Sequence, residues 1–169
     1  MTGPSPVRWM APPDSFVKVN FDARFLLAQK KSWTGVIIRD GLGHIMGAYR
    51  KETKRITSAF SVEAQAALHA IQFSLELGFG RVIIEGDSKS VINKLSSLEE
   101  ISAWIWEARR RAEGFHACSF RFTPRNGNHA AHLLAHDTGS GELDRYWIEE
   151  APQAVELQAA EDRRFLDPP

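Results

Sequence analysis

Three carboxylates stand where the side chains of a sheet and a helix can converge. Asp22 closes a hydrophobic run, Glu63 opens a long Ala-rich stretch, and Asp87 ends a second hydrophobic run. Two carboxylates at strand ends and one in the first turn of a helix can meet at one point and hold divalent cations, which prefer oxygen ligands. The spacing therefore predicts metal-dependent chemistry on phosphate.

Length and composition fit one globular domain. The chain has 169 residues, of which 43% are hydrophobic and 25% are charged, so it is long enough to bury most of its apolar surface. The single Cys118 predicts no internal disulfide. The first ten residues contain no apolar run that could serve as a signal peptide or a membrane span. We expect a soluble intracellular protein with no membrane partner, and cytoplasm and nucleus are not distinguished.

The charge is unevenly distributed although the net charge is zero. Residues 1–140 carry 18 Lys and Arg against 13 Asp and Glu, whereas residues 141–169 carry 3 against 8. A modestly basic body is compatible with phosphate binding. The sequence predicts an irregular lead over 1–14, a domain over 15–140 and an acidic, partly helical tail over 141–169, with a hinge at residues 139–141.

Hydrophobic periodicity predicts alternating strands and helices in the domain. Alternation and short apolar runs predict strands at 16–22, 33–39, 44–49, 81–86 and 119–123. Apolar residues at helical spacing predict the main helix at 61–77, and shorter helices are expected at 88–95, 101–113 and 128–136. Three strands in a row followed by alternating helices and strands predict an α/β fold. Its mixed sheet has five strands, three antiparallel and then two parallel, flanked by helices.

An ordered series of short motifs runs through nearly the whole chain. Its members are Trp9, Pro12-Pro13, Val17-Lys18-Val19-Asn20-Phe21-Asp22, Gly35-Val36-Ile37-Ile38-Arg39-Asp40, Gly43, Glu63-Ala64-Gln65-Ala66, Glu85-Gly86-Asp87-Ser88, Arg125, Asn128, Ala131, Leu134-Ala135 and Trp147-Ile148-Glu149-Glu150-Ala151-Pro152. In this series the chain resembles the ribonuclease H family, and specifically its plant reverse-transcriptase-like branch.

The resemblance implies a ribonuclease H fold and hydrolysis of the RNA strand of RNA–DNA hybrids. Four acidic residues of the family bind two Mg²⁺ ions, and Asp22, Glu63 and Asp87 match three of them. Two metals activate a water, stabilise the leaving alkoxide and neutralise charge on the phosphoryl oxygens. Asp22, expected in the middle of the sheet, is the predicted bridging ligand. The competing interpretation is a helix cap and two polar strand ends.

The position of the family's fourth acid is His132. Imidazole is a poorer ligand than carboxylate for Mg²⁺, suits softer transition ions and binds metal only when neutral. One hypothesis is that His132 acts as a ligand or as a proton acceptor near the leaving group, with activity that rises with pH and prefers Mn²⁺. The other is a decayed site. His129, His132 and His136 share a helical face, but one face rarely supplies a full tetrahedral set, so no structural zinc is predicted.

Candidate contacts to nucleic acid lie beside these residues. Arg24 follows Asp22 closely and either contacts a phosphate or points to solvent. The loop 123–128 lacks the histidine that many ribonucleases H carry there, and Arg125 is its plausible phosphate contact, whereas Asn128 is a contact or a helix cap. Weaker candidates are Lys30-Lys31, Arg50-Lys51, Lys54-Arg55, Arg109-Arg110-Arg111, Trp104 and Trp106.

The sequence leads to three hypotheses about the function of this protein. The first is a ribonuclease H-like endonuclease with Asp22, Glu63, Asp87 and His132 at its metal site. The second is a nucleic-acid-binding module of the same fold without catalysis. The third is a protein-interaction role for the acidic tail.

Overall fold

A mixed sheet of six strands forms the framework of the protein. The computed structural model describes residues 7–53, 58–97, 102–141 and 143–166. The strands are β1 (Val17–Leu26), β2 (Lys31–Arg39), β3 (Ile45–Thr53), β4 (Arg81–Gly86), β5 (Ala117–Phe122) and β6 (Arg145–Ile148). Their order is β5-β4-β1-β2-β3-β6. The pairs β1–β2, β2–β3 and β3–β6 are antiparallel, and β1–β4 and β4–β5 are parallel.

Within the described ranges, five α-helices cover the two faces of the sheet. They are α1 (Ala59–Glu76), α2 (Lys89–Leu95), α3 (Ala103–Ala112), α4 (His129–Ala135) and α5 (Gln153–Arg163). The main core lies between α1 and the sheet, where Val19 and Phe21 of β1 pack with Ile71 of α1. A smaller core on the other face joins Ile37 of β2 to Leu134 of α4 and Val155 of α5. The alternation of β1 therefore places one set of its side chains under each helical layer.

The limits of α1 follow from local chemistry. The hydroxyl of Ser58 accepts a hydrogen bond from the backbone N–H of Ser61 and so caps the first turn, a contact that typically contributes about 1 kcal/mol. The helix ends before Gly78, which has a φ of +85°. Glycine adopts this left-handed conformation without a steric penalty. The end of the main helix, predicted at residue 77, therefore lies directly before a glycine that allows the chain to turn.

The predicted fold class is confirmed, with one more strand than expected. The sixth strand, β6, lies in the acidic segment and pairs with β3. The first strand continues to Leu26, so Asp22 lies inside β1 and does not close it. Glu63 is the fifth residue of α1 and stands in its second turn, not its first. The predicted helix at 101–113 is described from Ala103 to Ala112, and residue 101 lies outside the described residues.

The first and the last described segments of the chain pack against the sheet. Trp9 of the lead is 2% exposed, and the residues described before β1 contain no helix or strand. The guanidinium of Arg8 lies 3.5 Å from the ring centroid of Phe165, just after α5. Arg39 of β2 donates to the Asp162 carboxylate of α5 at 2.6 Å, and the pair is buried. The lead and the last helix therefore meet on the same side of the sheet.

A buried polar network underlies the middle of the sheet on this side. The Asn20 carbonyl accepts from the Trp9 indole N–H at 3.0 Å and from Arg39 at 3.4 Å. The amide nitrogen of Asn20 donates to Glu85 and to Asn128, both at 3.0 Å. Every hydrogen-bonding group of this amide is satisfied, as its complete burial requires. The network fixes the start of α4 relative to β1.

None of the helices in the described part of the chain combines the length and the apolar character needed to cross a bilayer.

Candidate metal-dependent active site

Asp22 lies at the centre of the candidate site. It stands in β1 opposite Gly35 of β2 and is 1% exposed. Its Oδ1 accepts a hydrogen bond from the backbone N–H of Ala23 at 2.9 Å. This bond holds one carboxylate oxygen within the strand and leaves Oδ2 directed at its neighbours.

Glu63 and Asp87 converge on Asp22 from the adjacent helix and strand. Glu63 projects from α1, which packs across β1, and Asp87 follows β4, the parallel neighbour of β1. One carboxylate oxygen from each of the three residues lies within 4.8 Å of the others. Three carboxylates so close can share a cation, and without one they repel each other.

Burial and this repulsion together raise the pKa values of two carboxyl groups in the cluster. Burial, and then the negative charges of Asp22 and Asp87, raise the pKa of Glu63 to about 9. Burial and the charge of Asp87 likewise raise the pKa of Asp22. The Oε2 atom of Glu63 is buried without a hydrogen-bond partner among the described residues. An unpartnered buried oxygen beside two carboxylates fits a divalent cation with oxygen ligands.

His132 stands directly against Asp22. Its Nδ1 is 2.9 Å from Asp22 Oδ2, and its side chain is 22% exposed. The contact depends on Gly35, because a Cβ at that position would lie 2.7 Å from the backbone nitrogen of Ala135 and 2.9 Å from the carbonyl oxygen of Ala131. The missing side chain lets α4 approach β2 opposite Asp22 and brings the imidazole to the carboxylate.

His136 extends the cluster by one helical turn. Its Nδ1 donates to the carbonyl oxygen of His132 at 2.9 Å, and the two rings are 4.0 Å apart between centroids. This bond leaves the Nε2 lone pair of His136 free to act as a ligand. Asp22, His132 and His136 form a second group whose ligand atoms lie within 4.8 Å of one another. His129 is exposed, its ring is 6.3 Å from that of His132, and it is not part of this group.

Arg125 lies at the solvent-exposed rim of the site. Its Nε donates to Asp87 Oδ2 at 2.8 Å, and its NH1 lies 3.4 Å from His132 Nε2. The Arg125 side chain is 56% exposed, whereas that of Asp87 is 10% exposed. The guanidinium thus spans the rim between an acid and the imidazole, with donors left for an anion from solvent.

The family comparison agrees with this geometry. A family model described as reverse transcriptase-like matches residues 20–138, which include all three carboxylates and His132. The chain belongs to the reverse transcriptase-like family. Its ribonuclease H-like character, expected from the ordered motifs, is confirmed.

Solved ribonucleases H share the fold of this reverse transcriptase-like domain. Ribonuclease H1 of Halobacterium salinarum NRC-1 is 23% identical with a TM-score of 0.66, covering 74% of this chain and 98% of that one. The N-terminal RNase H domain of a Mycobacterium tuberculosis protein, solved as a fusion with maltose-binding protein, is 16% identical with a TM-score of 0.66 over 75% and 95%. LC11-RNase H1, isolated from compost by a metagenomic approach and solved with an RNA/DNA hybrid, is 16% identical with a TM-score of 0.57 over 72% and 93%. No curated protein matches the sequence significantly.

The predicted substrate contacts of the reverse transcriptase-like domain differ in accessibility. Arg24 is partly exposed two residues beyond Asp22, and its guanidinium lies 5.5 Å from the centre of the Trp33 ring. Asn128 is fully buried, and its amide donates to the carbonyl oxygen of Phe21 at 2.8 Å. The side chain of Asn128 therefore cannot contact nucleic acid in this conformation. Asn128 occupies the N-cap position of α4 but makes no capping bond with its side chain.

Several of the weaker candidates for nucleic-acid contact bind other groups within the protein. Arg50 is buried and donates to the carbonyl oxygens of Leu134 and Gly141. Arg110 and Arg111 both bind Glu107 on their own helix. Trp104 packs against the main core, Trp106 is 46% exposed, and Lys54 and Arg55 lie outside the described residues.

Sequence reasoning missed the role of Asn20, and it considered His136 only for a structural zinc site, which it did not predict. Asn20 holds Asn128 under α4, and His136 joins the group around Asp22. Both left a signal: Asn20 lies two residues before Asp22 on the same face of β1, and His136 lies four residues after His132 on one face of α4. Neither spacing alone distinguishes a site residue from an ordinary surface polar residue.

Proposed function

We propose that this protein is a metal-dependent endonuclease that hydrolyses the RNA strand of RNA–DNA hybrids. The observation that carries the proposal is the convergence of Asp22, Glu63 and Asp87 within 4.8 Å, with a buried carboxylate oxygen of Glu63 left unpartnered. Family membership and the fold give this cluster its context. A triple carboxylate without a cation would be costly to bury, which supports a cation as its normal occupant.

Four residues would hold two Mg²⁺ ions. Asp22, Glu63, Asp87 and His132 would hold them, and Asp22 would be the shared ligand because it lies within 4.8 Å of the other two carboxylates and contacts His132. When bound, such ions supply Lewis acidity and an activated water for attack on phosphorus. The chain itself contributes the fixed positions of the ligands, which lie on β1, directly after β4, and on the helices α1 and α4 that pack against the sheet.

His132 places an imidazole where a site of four carboxylates would have its fourth acid. If Arg125 donates to His132 Nε2, then His132 Nδ1 carries the proton and donates it to Asp22. In this tautomer the Nε2 lone pair accepts from Arg125 at the rim of the site, and it can bind a metal or accept a proton once that contact is released. We infer that neutral His132 performs one of these two roles and that the site prefers Mn²⁺ to Mg²⁺.

Arg125 and Arg24 supply the expected phosphate contacts. Arg125 is exposed at the rim, and Arg24 lies on the same face of β1 as Asp22. LC11-RNase H1, which shares the fold, was solved with an RNA/DNA hybrid. A hybrid is therefore the substrate class to test first.

A catalytically inactive nucleic-acid-binding module is the alternative, and two contacts favour it. His132 occupies Asp22 Oδ2, and Arg125 occupies Asp87 Oδ2. Both oxygens would have to be released, or shared, for two metals to bind. The same basic rim would still bind a phosphate backbone.

A hybrid-cleavage assay separates the two functions. The parent, Asp22→Asn and Asp14→Asn are incubated with a labelled RNA–DNA hybrid and Mg²⁺ or Mn²⁺, and binding is measured in parallel with EDTA. Asp14 is exposed and lies outside the site, so Asp14→Asn is the matched control. Cleavage by the parent and the control but not by Asp22→Asn supports the enzyme. Binding without cleavage by any of the three supports the module.

A further inference from the structure

The outer edge of β6 is open for pairing. The N–H of Glu149 donates to the carbonyl oxygen of Met46 on β3 at 3.1 Å. Because hydrogen-bonded and non-hydrogen-bonded pairs alternate in an antiparallel ladder, Trp147 also directs its backbone groups at β3. The N–H and C=O groups of Tyr146 and Ile148 therefore point away from the sheet, where no described strand pairs with β6.

The side chains of this edge are unusually apolar for an exposed strand. Tyr146 is 69% exposed and Ile148 is 49% exposed, and both lie on the α1 face of the sheet. Trp147 points to the opposite face and packs partly against the smaller core. Natural proteins usually protect such an edge with charge, proline or a covering element, since it is a template for another strand.

The charges at the two ends of β6 are complementary to each other. The run reads Arg145-Tyr146-Trp147-Ile148-Glu149, and Arg145 and Glu149 are both exposed. If two copies pair antiparallel about Trp147, the Arg145 end of each strand lies beside the end of the other strand that Glu149 follows. Glu149 comes directly after β6 and has a φ of +59°. Tyr146 then faces Ile148, and these are the residues whose backbone groups point outward. One register thus satisfies the backbone and the apolar pair, and it brings opposite charges together at both ends of the paired strands.

We propose that β6 is a self-association surface that pairs antiparallel with β6 of a second copy of this chain. The contact is isologous, with a two-fold axis through Trp147. It joins two six-stranded sheets edge to edge. Four new backbone hydrogen bonds form between the Tyr146 and Ile148 positions of the two copies.

The surface fits a second copy better than the opposite edge does. The strand β5 contains Arg121 but no acidic residue, so it offers no self-complementary charge pair. Beyond β6 the next pair would be Asp144 with Glu150, which are both acidic, and Asp144 accepts a hydrogen bond from the N–H of Glu52 in its own chain. Pairing is therefore limited to the four residues of β6, and the dimer is weak and dependent on concentration.

Exchange of the two charges tests the register. Sedimentation velocity at low ionic strength is measured over a concentration series for the parent, Arg145→Glu, Glu149→Arg and the double variant. We expect each single variant to weaken association about tenfold, since two ion pairs become repulsive. The double variant reverses both partners and restores association. A monomeric parent, equal association of all four proteins, or a double variant that stays monomeric would overturn the proposal.

Disulfide trapping provides a second measurement with substitutions at exposed positions. In a Cys118→Ser background, Arg145→Cys and Glu149→Cys proteins are mixed under mild oxidation. The proposed register places these two positions beside each other at the ends of the paired strands, where a disulfide can join the two copies. The mixture should give a covalent heterodimer faster than either variant alone. Equal rates for the mixture and for both single variants would contradict the pairing.

Discussion

His132 Nδ1 and Asp22 Oδ2 lie 2.9 Å apart, so an imidazole stands at the carboxylate that would serve both metals. The distance is that of a hydrogen bond between the two side chains. A proton on this bond and a metal ion at the same oxygen compete, and the nature of residue 132 therefore controls how the site accepts a cation.

Replacing His132 with Asp is expected to change metal preference. His132→Asp supplies a hard oxygen ligand, so cleavage supported by Mg²⁺ should rise at least about tenfold relative to cleavage supported by Mn²⁺. The pH profile should also change, because a carboxylate replaces the imidazole beside Asp22, but loss of the Glu63 proton should still make metal binding rise with pH. Initial rates with each ion at several pH values provide the measurement. His129→Asp, on the same helix but outside the group, is the control, and an unchanged ion preference and pH profile in His132→Asp would refute the role of His132.

Metal binding is expected to release a proton from Glu63. The pKa of Glu63 is raised to about 9, so this group is protonated at pH 7 in the metal-free protein. A cation requires the carboxylate, so binding of Mg²⁺ or Mn²⁺ at pH 7 should release about one proton, and the release should vanish above pH 9. Calorimetry in two buffers of different ionisation enthalpy measures the proton count. The Glu63→Gln variant should bind the metal ion weakly and release no proton. Glu76→Gln, at the exposed end of α1, is the control. Identical binding heats for the parent in both buffers would contradict the prediction.

Stability at acid pH is expected to depend on His69. Burial lowers the pKa of His69 to about 3, below the ordinary value of 6.5, and its Nδ1 lies 2.6 Å from the Thr34 hydroxyl. The folded state therefore binds fewer protons than the unfolded state between pH 6.5 and pH 3. The free energy of unfolding should fall by up to about 1.4 kcal/mol per pH unit as the pH drops through this window. Urea titrations of the parent and of His69→Gln at several pH values test this, because glutamine keeps a polar contact but does not titrate. If the free energy of unfolding depends on pH in the same way in both proteins, the prediction fails.

Loss of the Asp162 carboxylate is expected to destabilise the whole domain. Arg39 is fully buried, and Asp162 on α5 is its ion-pair partner. Asp162→Ala leaves an uncompensated buried guanidinium and should cost about 3–5 kcal/mol in the free energy of unfolding. Glu161→Ala removes the exposed pair with Arg164 on the same helix and should cost less than about 1 kcal/mol. Denaturant titrations of the two variants compare these costs, and equal effects would count against a structural role for the buried pair.

The convergence of the three carboxylates was easier to predict from the sequence than the edges of the fold. The three carboxylates follow strong periodic patterns, so their elements could be placed from local spacing alone. The strand β6 has only four residues and is defined by pairing with β3, a partner far away in the chain. Local periodicity contains no information on such a partner, and the acidic composition of the segment obscured it.

The buried polar residues were the harder part of the prediction. Lys18, Asn20 and Asp22 alternate with apolar residues in β1, a pattern that usually marks a solvent-exposed face. In the structure all three are buried, because α4, α5 and the lead cover that face. The same covering explains why Asn128 is a positioning residue inside the fold and not a surface contact.

The contact between Arg8 and Phe165 brings the first and last described parts of the chain to one place. Segments joined to either end of this domain would therefore leave it side by side. The domain could be inserted into a surface loop of another protein, or permuted through a short linker across this contact, with little disturbance of the sheet. By the same geometry, trimming the chain to residues 20–138 would remove Trp9 and Asp162, and with them two anchors of the network that fixes α4 beside Asp22.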